Sequence, residues 1–204
     1  VLHQQGRAEV LDWIGQGLAV AVVGTRAASD HGLRMAEYLG TVLAEAGWPV
    51  VSGLAEGIDA AAHRGCLAAG GVPVAVLGTP LDRVYPRHHQ SLQKDVAENG
   101  LLLSERRPGE SVQTGHFAAR NRLLVCLSCA LVVVECPDRS GALISARLAA
   151  EQQCPVWVVP GDAGRWSSRG SNRLLQNTAA PLLSPQELVA VSYTHLRAHE
   201  TLLY

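Results

Sequence analysis

Leu18-Ala19-Val20-Ala21-Val22-Val23-Gly24-Thr25-Arg26-Ala27-Ala28-Ser29-Asp30-His31-Gly32 is the stretch that decides the fold. Six consecutive apolar residues leave no side for water, so a strand here has to be covered on both faces, as strands of parallel sheets are. A turn of small and polar residues follows. Ser29 or Asp30 then stands where a helix N-cap belongs, and an amphipathic run from Gly32 to Ala46 closes at Gly47. Strand, polar turn and returning helix form the repeating unit of a parallel sheet.

The same pattern recurs outward from this unit. Apolar runs rich in Val and Leu lie at Leu18–Val23, Pro49–Ser52, Val74–Leu77, Gly100–Leu103, Ala130–Glu135 and Pro155–Val159. Helical periodicity falls at Gly32–Ala46, Ile58–Ala69, His89–Glu98, Arg120–Leu127, Ala142–Gln152 and Asn172–Asn177. The fold class expected is α/β, with a mostly parallel sheet and helices on both faces. A lone helix is expected over residues 3–17, giving an N-terminal segment 1–18, a main domain 19–191 and a tail 192–204. That tail, from Ser192 to Tyr204, breaks the alternation and reads either as a terminal helix or as sequence foreign to the domain.

With 204 residues and 48% hydrophobic composition the chain can bury the core of one domain. A formal net charge of −1 gives no overall positive field, so any polyanion site has to be local. The half from Phe117 to Arg173 holds seven arginines against four carboxylates, while Lys94 is the single lysine. The cysteine count is odd, five, and Cys66, Cys126, Cys129 and Cys136 lie in apolar runs. They read as small buried hydrophobes of a reducing compartment, which places the protein in the cytoplasm. Cys126 and Cys129 make a C-x-x-C without a second pair, so no metal site is expected. No apolar segment reaches the ~20 residues of a membrane span.

Ligands of open parallel sheets sit where strand ends meet helix N-termini, because backbone N–H groups there lack partners. Four polar, glycine-bearing loops are candidates: residues 24–32, residues 52–59, Arg139-Ser140-Gly141 and Pro160-Gly161-Asp162. Together they are expected to form one anion-binding crevice, with Arg26 projecting into it. The run His116-Phe117-Ala118-Ala119-Arg120-Asn121-Arg122-Leu123-Leu124 adds the one Phe of the chain beside two guanidinium forks and an amide. A ring that can stack on a base, next to arginines that can hold phosphate oxygens, suits a nucleic-acid strand. Neither the dinucleotide fingerprint G-x-G-x-x-G nor a P-loop follows the first strand, so no cofactor is expected.

Taken together, Val23-Gly24-Thr25-Arg26, Ser52-Gly53-Leu54-Ala55-Glu56-Gly57-Ile58-Asp59 with Ala60-Ala61-Ala62-His63, Tyr85-Pro86, Phe117-Ala118-Ala119-Arg120-Asn121-Arg122, Val134-Glu135, Ser140-Gly141-Ala142 and Pro160-Gly161 resemble the DNA-processing protein A (DprA, or Smf) family. The likeness runs in order from about residue 19 to residue 184. It implies an extended Rossmann-like domain that binds single-stranded DNA, forms a homodimer and loads the RecA recombinase onto the incoming strand during natural transformation. Pro80 and His88-His89 depart from the family pattern. The helical and winged-helix modules frequent in that family find no counterpart in these residues.

The resemblance assigns DNA contact to Arg26, Arg120, Asn121 and Arg122; Gly24, Thr25, Ser29 and Arg139 are expected to join them from the polar loops, Ser52, Gly53, Ser140 and Gly141 to offer backbone N–H groups, and Phe117 either to stack on a base or to lie buried under the loop. At least one of Arg120, Asn121 and Arg122 is expected to hold the loop through carbonyl bonds instead. Gly57, Asp59 and His63 are expected to be structural at the site. Asp59 and His63, one helical turn apart, also suggest with Ser52 a hydrolase triad, but no nucleophile elbow accompanies them, and a non-enzymatic protein is expected. His116, His88 and His89 read as surface or loop residues. The rival reading is a nucleotide-binding Rossmann-like sensor or nucleoside-monophosphate hydrolase, whose Pro-Gly-Gly-x-Gly-Thr phosphate loop is not found.

Overall fold

The computed structural model describes residues 1–177 and 179–190. Six strands fall where the apolar runs predict them: β2 (Val20–Val23), β3 (Val50–Ser52), β4 (Pro73–Leu77), β5 (Leu101–Ser104), β6 (Ala130–Val133) and β7 (Val156–Val158). They pair in parallel, and the whole sheet has the order β1-β5-β4-β3-β2-β6-β7-β8. Two short edge strands complete it, β1 (His3–Gly6) antiparallel to β5 and β8 (Ala180–Pro181) parallel to β7.

Alternation along β2 explains why both faces must be covered. Ala19, Ala21 and Val23 pack into one core with α1 (Val10–Gly15), α5 (Thr114–Cys126) and α6 (Gly141–Glu151). Val20 and Val22 point the other way, into a core shared with α2 (Asp30–Glu45) and α3 (Ile58–Ala68). Further along that face, α4 (Gln90–Asn99) lies over β4 and β5 through Leu92 and Val96. A last helix, α7 (Arg169–Leu174), follows β7. The strand order turns back between β2 and β6, so the loops leaving those two strands diverge and leave a crevice at their carboxyl ends.

Three expectations need correction. Residues 3–17 are not one helix: His3–Gly6 add to the sheet edge, and only Val10–Gly15 are helical. The segment His3-Gln4-Gln5-Gly6 has no apolar pattern, and ladder bonds to β5 rather than burial hold it. Helix α5 begins at Thr114, six residues before the predicted start, because its first turns face the crevice and carry no core stripe. Cys126 is exposed, not buried, at the end of that helix. Burial holds the Cys66 and Cys136 thiols near 12, as expected of inert core groups. Residues 192–204 lie outside the described residues.

Helices α2 and α3 approach closely at Gly40, where an added Cβ would stand 2.1 Å from the Ala62 carbonyl oxygen. Gly40→Ala should therefore lower unfolding stability by about 2 kcal/mol. Gly15→Ala, at a helical position with nothing within 4 Å, should leave it unchanged or slightly raised. Denaturant unfolding of both variants beside the parent makes the comparison.

Candidate nucleic-acid interface

The crevice is organised by a buried arginine. Arg120, on α5, is 7% exposed. Its Nη1 donates to the carbonyl oxygens of Gly53, at 2.8 Å, and of Val76, and its Nε donates to Asn121 Oδ1 at 3.2 Å. Asn121 in turn donates from Nδ2 to the Gly141 carbonyl at 3.2 Å. One guanidinium and one amide thus tie α5 to the loop after β3, to β4 and to the start of α6. Arg120 and Asn121 thus hold the loop through carbonyl bonds, as expected of at least one residue of this run, and both also line the crevice. Gly53 has no side chain for a reason visible here: a Cβ would lie 2.2 Å from Arg120 Nη1.

Asp59 completes the anchor from α3. Its Oδ2 accepts from the N–H groups of Gly53 at 3.1 Å and Ala55 at 3.4 Å. Burial pushes this carboxyl upward, while the Arg120 charge and the backbone N–H bonds hold it back. The Gly53 N–H is therefore not available to a ligand. Ser52 is also excluded from contact: it is fully buried, and its hydroxyl donates to the Val22 carbonyl at 2.6 Å. His63 is fully buried with Nε2 toward the Val74 carbonyl at 3.3 Å, and burial pulls its pKa down to about 4. Ser52 and His63 are thus core-side struts, and Asp59, 6% exposed, borders the crevice with its carboxylate held by the backbone. Gly57 enters α3 with φ of 76°, and a Cβ there would meet the Thr25 carbonyl oxygen at 2.3 Å.

The loop after β2 splits into two parts with different roles. Gly24, Thr25 and Arg26 line the crevice. Thr25 is fixed by its N–H to the Glu135 carbonyl at 2.7 Å and by the Ile58 N–H onto its own carbonyl at 3.3 Å. Arg26 is exposed beyond it, its guanidinium carbon 5.6 Å from the centre of the Phe117 ring. Ser29 faces elsewhere. Its hydroxyl accepts from the Gly32 N–H as the N-cap of α2 and donates to Glu135 Oε2 at 2.8 Å, and its own N–H reaches the same oxygen at 3.2 Å. The first turn of α2 already holds an anion, the buried Glu135 carboxylate, which removes it as a phosphate site. Ser29 and Glu135 line a separate cavity with Pro160, Gly161 and Asp162, so the four loops form two troughs, not one.

The main trough runs in two joined parts. One holds Gly24, Thr25, Arg26, Phe117, Arg139, Ser140, Gly141 and Trp166; the other continues past Arg26 and Phe117 to Arg83, Tyr85 and Arg87 with a volume of about 800 Å³. Phe117 is half-buried, its ring 5.0 Å from that of Tyr85, and a Cβ on Gly78 would press against it at 2.7 Å. Ser140 caps α6 by accepting from the Ala142 N–H at 3.2 Å. Arg26, Arg83, Arg87 and Arg139 are exposed and have no ion pair with a carboxylate among the described residues. Arg122, in contrast, is paired with Glu105 and does not line the trough. Its place one residue past Asn121 on α5 carries its side chain around the helix, away from the crevice.

Arg83, Tyr85, Arg87 and Trp166 were not singled out in the sequence. The nearest signal was Tyr85-Pro86, which carried the family likeness without a role. His89 was expected at the surface but is buried, its Nδ1 3.0 Å from the Leu54 carbonyl oxygen, and His116 sits near Glu110 at 3.7 Å. Among the described residues no group of three metal-ligating side chains occurs, and no helix is long and apolar enough to cross a membrane.

Comparisons with known proteins bear on the family and the fold. The sequence profile of the DNA recombination-mediator protein A family matches residues 1–192. Protein Smf of Synechocystis is 41% identical over 190 residues, 93% of this chain and 48% of that protein. The X-ray structure of DNA processing protein A from Streptococcus pneumoniae superimposes with a TM-score of 0.86 at 37% identity, over 93% of this chain and 65% of that one. The structure of DNA processing protein A from Helicobacter pylori, described for its single-stranded DNA binding mode, superimposes with a TM-score of 0.85 at 32% identity, over 95% of this chain and 87% of that one. The chain spans about half the length of the curated relatives it matches.

Two expectations follow from the buried groups. Arg120→Ala leaves the Gly53 and Val76 carbonyls without their charged donor and should cost about 3 kcal/mol of unfolding stability, read by denaturant titration. For His63, the folded pKa of about 4 lies below the ordinary 6.5, so the unfolded chain alone takes up its proton in that window. Stability should fall as the pH drops from 6.5 toward 4, by on the order of 3 kcal/mol from this imidazole. Unfolding curves at pH 7 and pH 4.5 should show a smaller loss for His63→Gln than for the parent.

Proposed function

The chain belongs to the DNA recombination-mediator protein A family, and from that premise we propose that its trough binds single-stranded DNA through the backbone. The observation that carries this reading is the set of unpaired arginines, Arg26, Arg83, Arg87 and Arg139, along one continuous trough that also presents aromatic rings. Arg122 is matched with Glu105, Arg165 with Asp162, and Arg169 and Arg173 with Asp138, whereas Arg34, Arg64 and Arg107 are exposed without an ion pair but lie outside the trough. Four exposed guanidinium groups without a carboxylate, gathered along one trough, are available for phosphate oxygens.

In this reading Arg26 and Arg139 hold successive phosphates, with the Gly24-Thr25 and Ser140-Gly141 backbones beside them. Phe117 supports a base or the Arg26 stem. Arg120, Asn121, Gly53, Asp59 and Gly57 act one layer below as positioning residues, and Ser29, Ser52 and Arg122 stand outside the contact surface. The protein works by binding rather than by catalysis. Its place is the cytoplasm, as a homodimer that protects an incoming strand and loads the RecA recombinase in natural transformation. Support for these last points is the family likeness alone.

Binding of an oligo-dT should weaken with salt, log affinity falling with log salt by about 0.7 per phosphate neutralised. Arg26→Ala and Arg139→Ala should each reduce that slope by about one contact and weaken mixed-sequence oligonucleotides equally. Arg122→Ala should leave the slope unchanged. A titration of single- and double-stranded DNA at two salt concentrations reads all three; equal slopes for Arg26→Ala and the parent would remove the assignment.

A further inference from the structure

Trp166 is the most exposed aromatic side chain among the described residues, at 63%. Other exposed rings have something to do. Tyr38, 46% exposed, accepts from Gln186 Nε2 through its hydroxyl at 2.6 Å, and Tyr85, 44% exposed, lies against Phe117. The Trp166 ring has neither ring nor cation beside it among the described residues. An indole without a packing partner leaves its apolar face and N–H open to a ligand.

Its backbone is held firmly. Trp166–Ser168 form a 3₁₀ turn that runs into α7. The N–H groups of Gly170 and Ser171 both donate to the Cys136 carbonyl, at 2.9 and 3.0 Å. Asn172 exchanges two hydrogen bonds with the Gly161 backbone, at 3.0 and 2.9 Å. Gly170 packs so closely that a Cβ would meet the Pro137 carbonyl oxygen at 2.3 Å. The turn is therefore fixed against the loop that carries Arg139, and the ring lines the same part of the trough as Arg26, Arg139 and Ser140. The trough thus presents aromatic side chains in both of its parts, Tyr85 in one, Trp166 in the other and Phe117 in both, with unpaired arginines in each.

We propose that Trp166 is a stacking platform for an unpaired base of the strand lying in this trough. The inference deepens the single-stranded DNA reading and rests on it. A flat ring facing out of a phosphate-binding trough offers its surface only to a base that has left its own stack, so it selects single strands over duplex. Because every base has a π-face, the platform is tolerant of sequence.

The test uses the full chain with oligo-dT and with an oligomer of the same length made of abasic deoxyribose phosphate. Of the four tryptophans, Trp166 should account for the emission quenched on adding oligo-dT, seen as the difference between parent and Trp166→Phe. Trp166→Ala should bind oligo-dT about tenfold more weakly, and Trp166→Phe within about threefold of the parent. On the abasic oligomer all three should bind alike. Trp166→Ala binding oligo-dT as the parent does, while Arg26→Ala is weakened, would overturn the platform alone. An equal loss on both oligomers would make Trp166 a shaping residue instead. Failure of the parent to bind oligo-dT would overturn the trough assignment and the platform with it.

Discussion

A guanidinium out of water among backbone carbonyls is the constraint on which the trough depends. Arg120 replaces lost hydration with the carbonyls of Gly53 and Val76 and with Asn121, and Asp59 supplies the opposing charge from α3. Burying a charge is tolerated only when its donors are satisfied, so this geometry admits little drift in the elements that supply the acceptors. Those elements are the loop after β3, strand β4 and, through Asn121 and Gly141, the start of α6. They are also the walls of the trough. The arginine thus fixes the walls of the trough from its floor.

Electrostatics around the crevice is divided by the same logic. At the switch between β2 and β6 two helix N-termini face outward, and the fold treats them differently. That of α2 is closed by the Glu135 carboxylate through Ser29, whereas that of α6 is capped by its own Ser140 and opens beside Arg139. Negative charge is accordingly disfavoured on the Glu135 side and favoured on the Arg26 and Arg139 side. With a formal net charge of −1 the molecule has no overall attraction for a polyanion, so local pairing or its absence decides where one can lie.

The parallel sheet was readable from residues because strands covered on both faces are apolar throughout, and glycines and caps mark their ends. The edge strands escaped notice since polar His3–Gly6 and the two-residue Ala180–Pro181 carry no burial pattern and are held by ladder bonds to neighbours far away in the chain. Among the site residues, Arg26 and Phe117 were legible as a charge and a ring at a strand end and a helix start. Arg83, Arg87 and Trp166 were not, for they reach the trough from loops whose path depends on the packing of the rest.

Residue order by itself determined the succession of strands and helices and the edge of the sheet that carries the polar loops, since hydrophobic periodicity and capping are local. It also determined the kinship. Which arginine is buried and which is free was decided only in three dimensions: Arg120 and Arg122 are two residues apart on one helix, yet one meets carbonyls inside and the other meets Glu105 outside. Two positions along an α-helix differ by about 200° around its axis, so near-identical neighbours in sequence face opposite surroundings, and a guanidinium takes its role from what it faces.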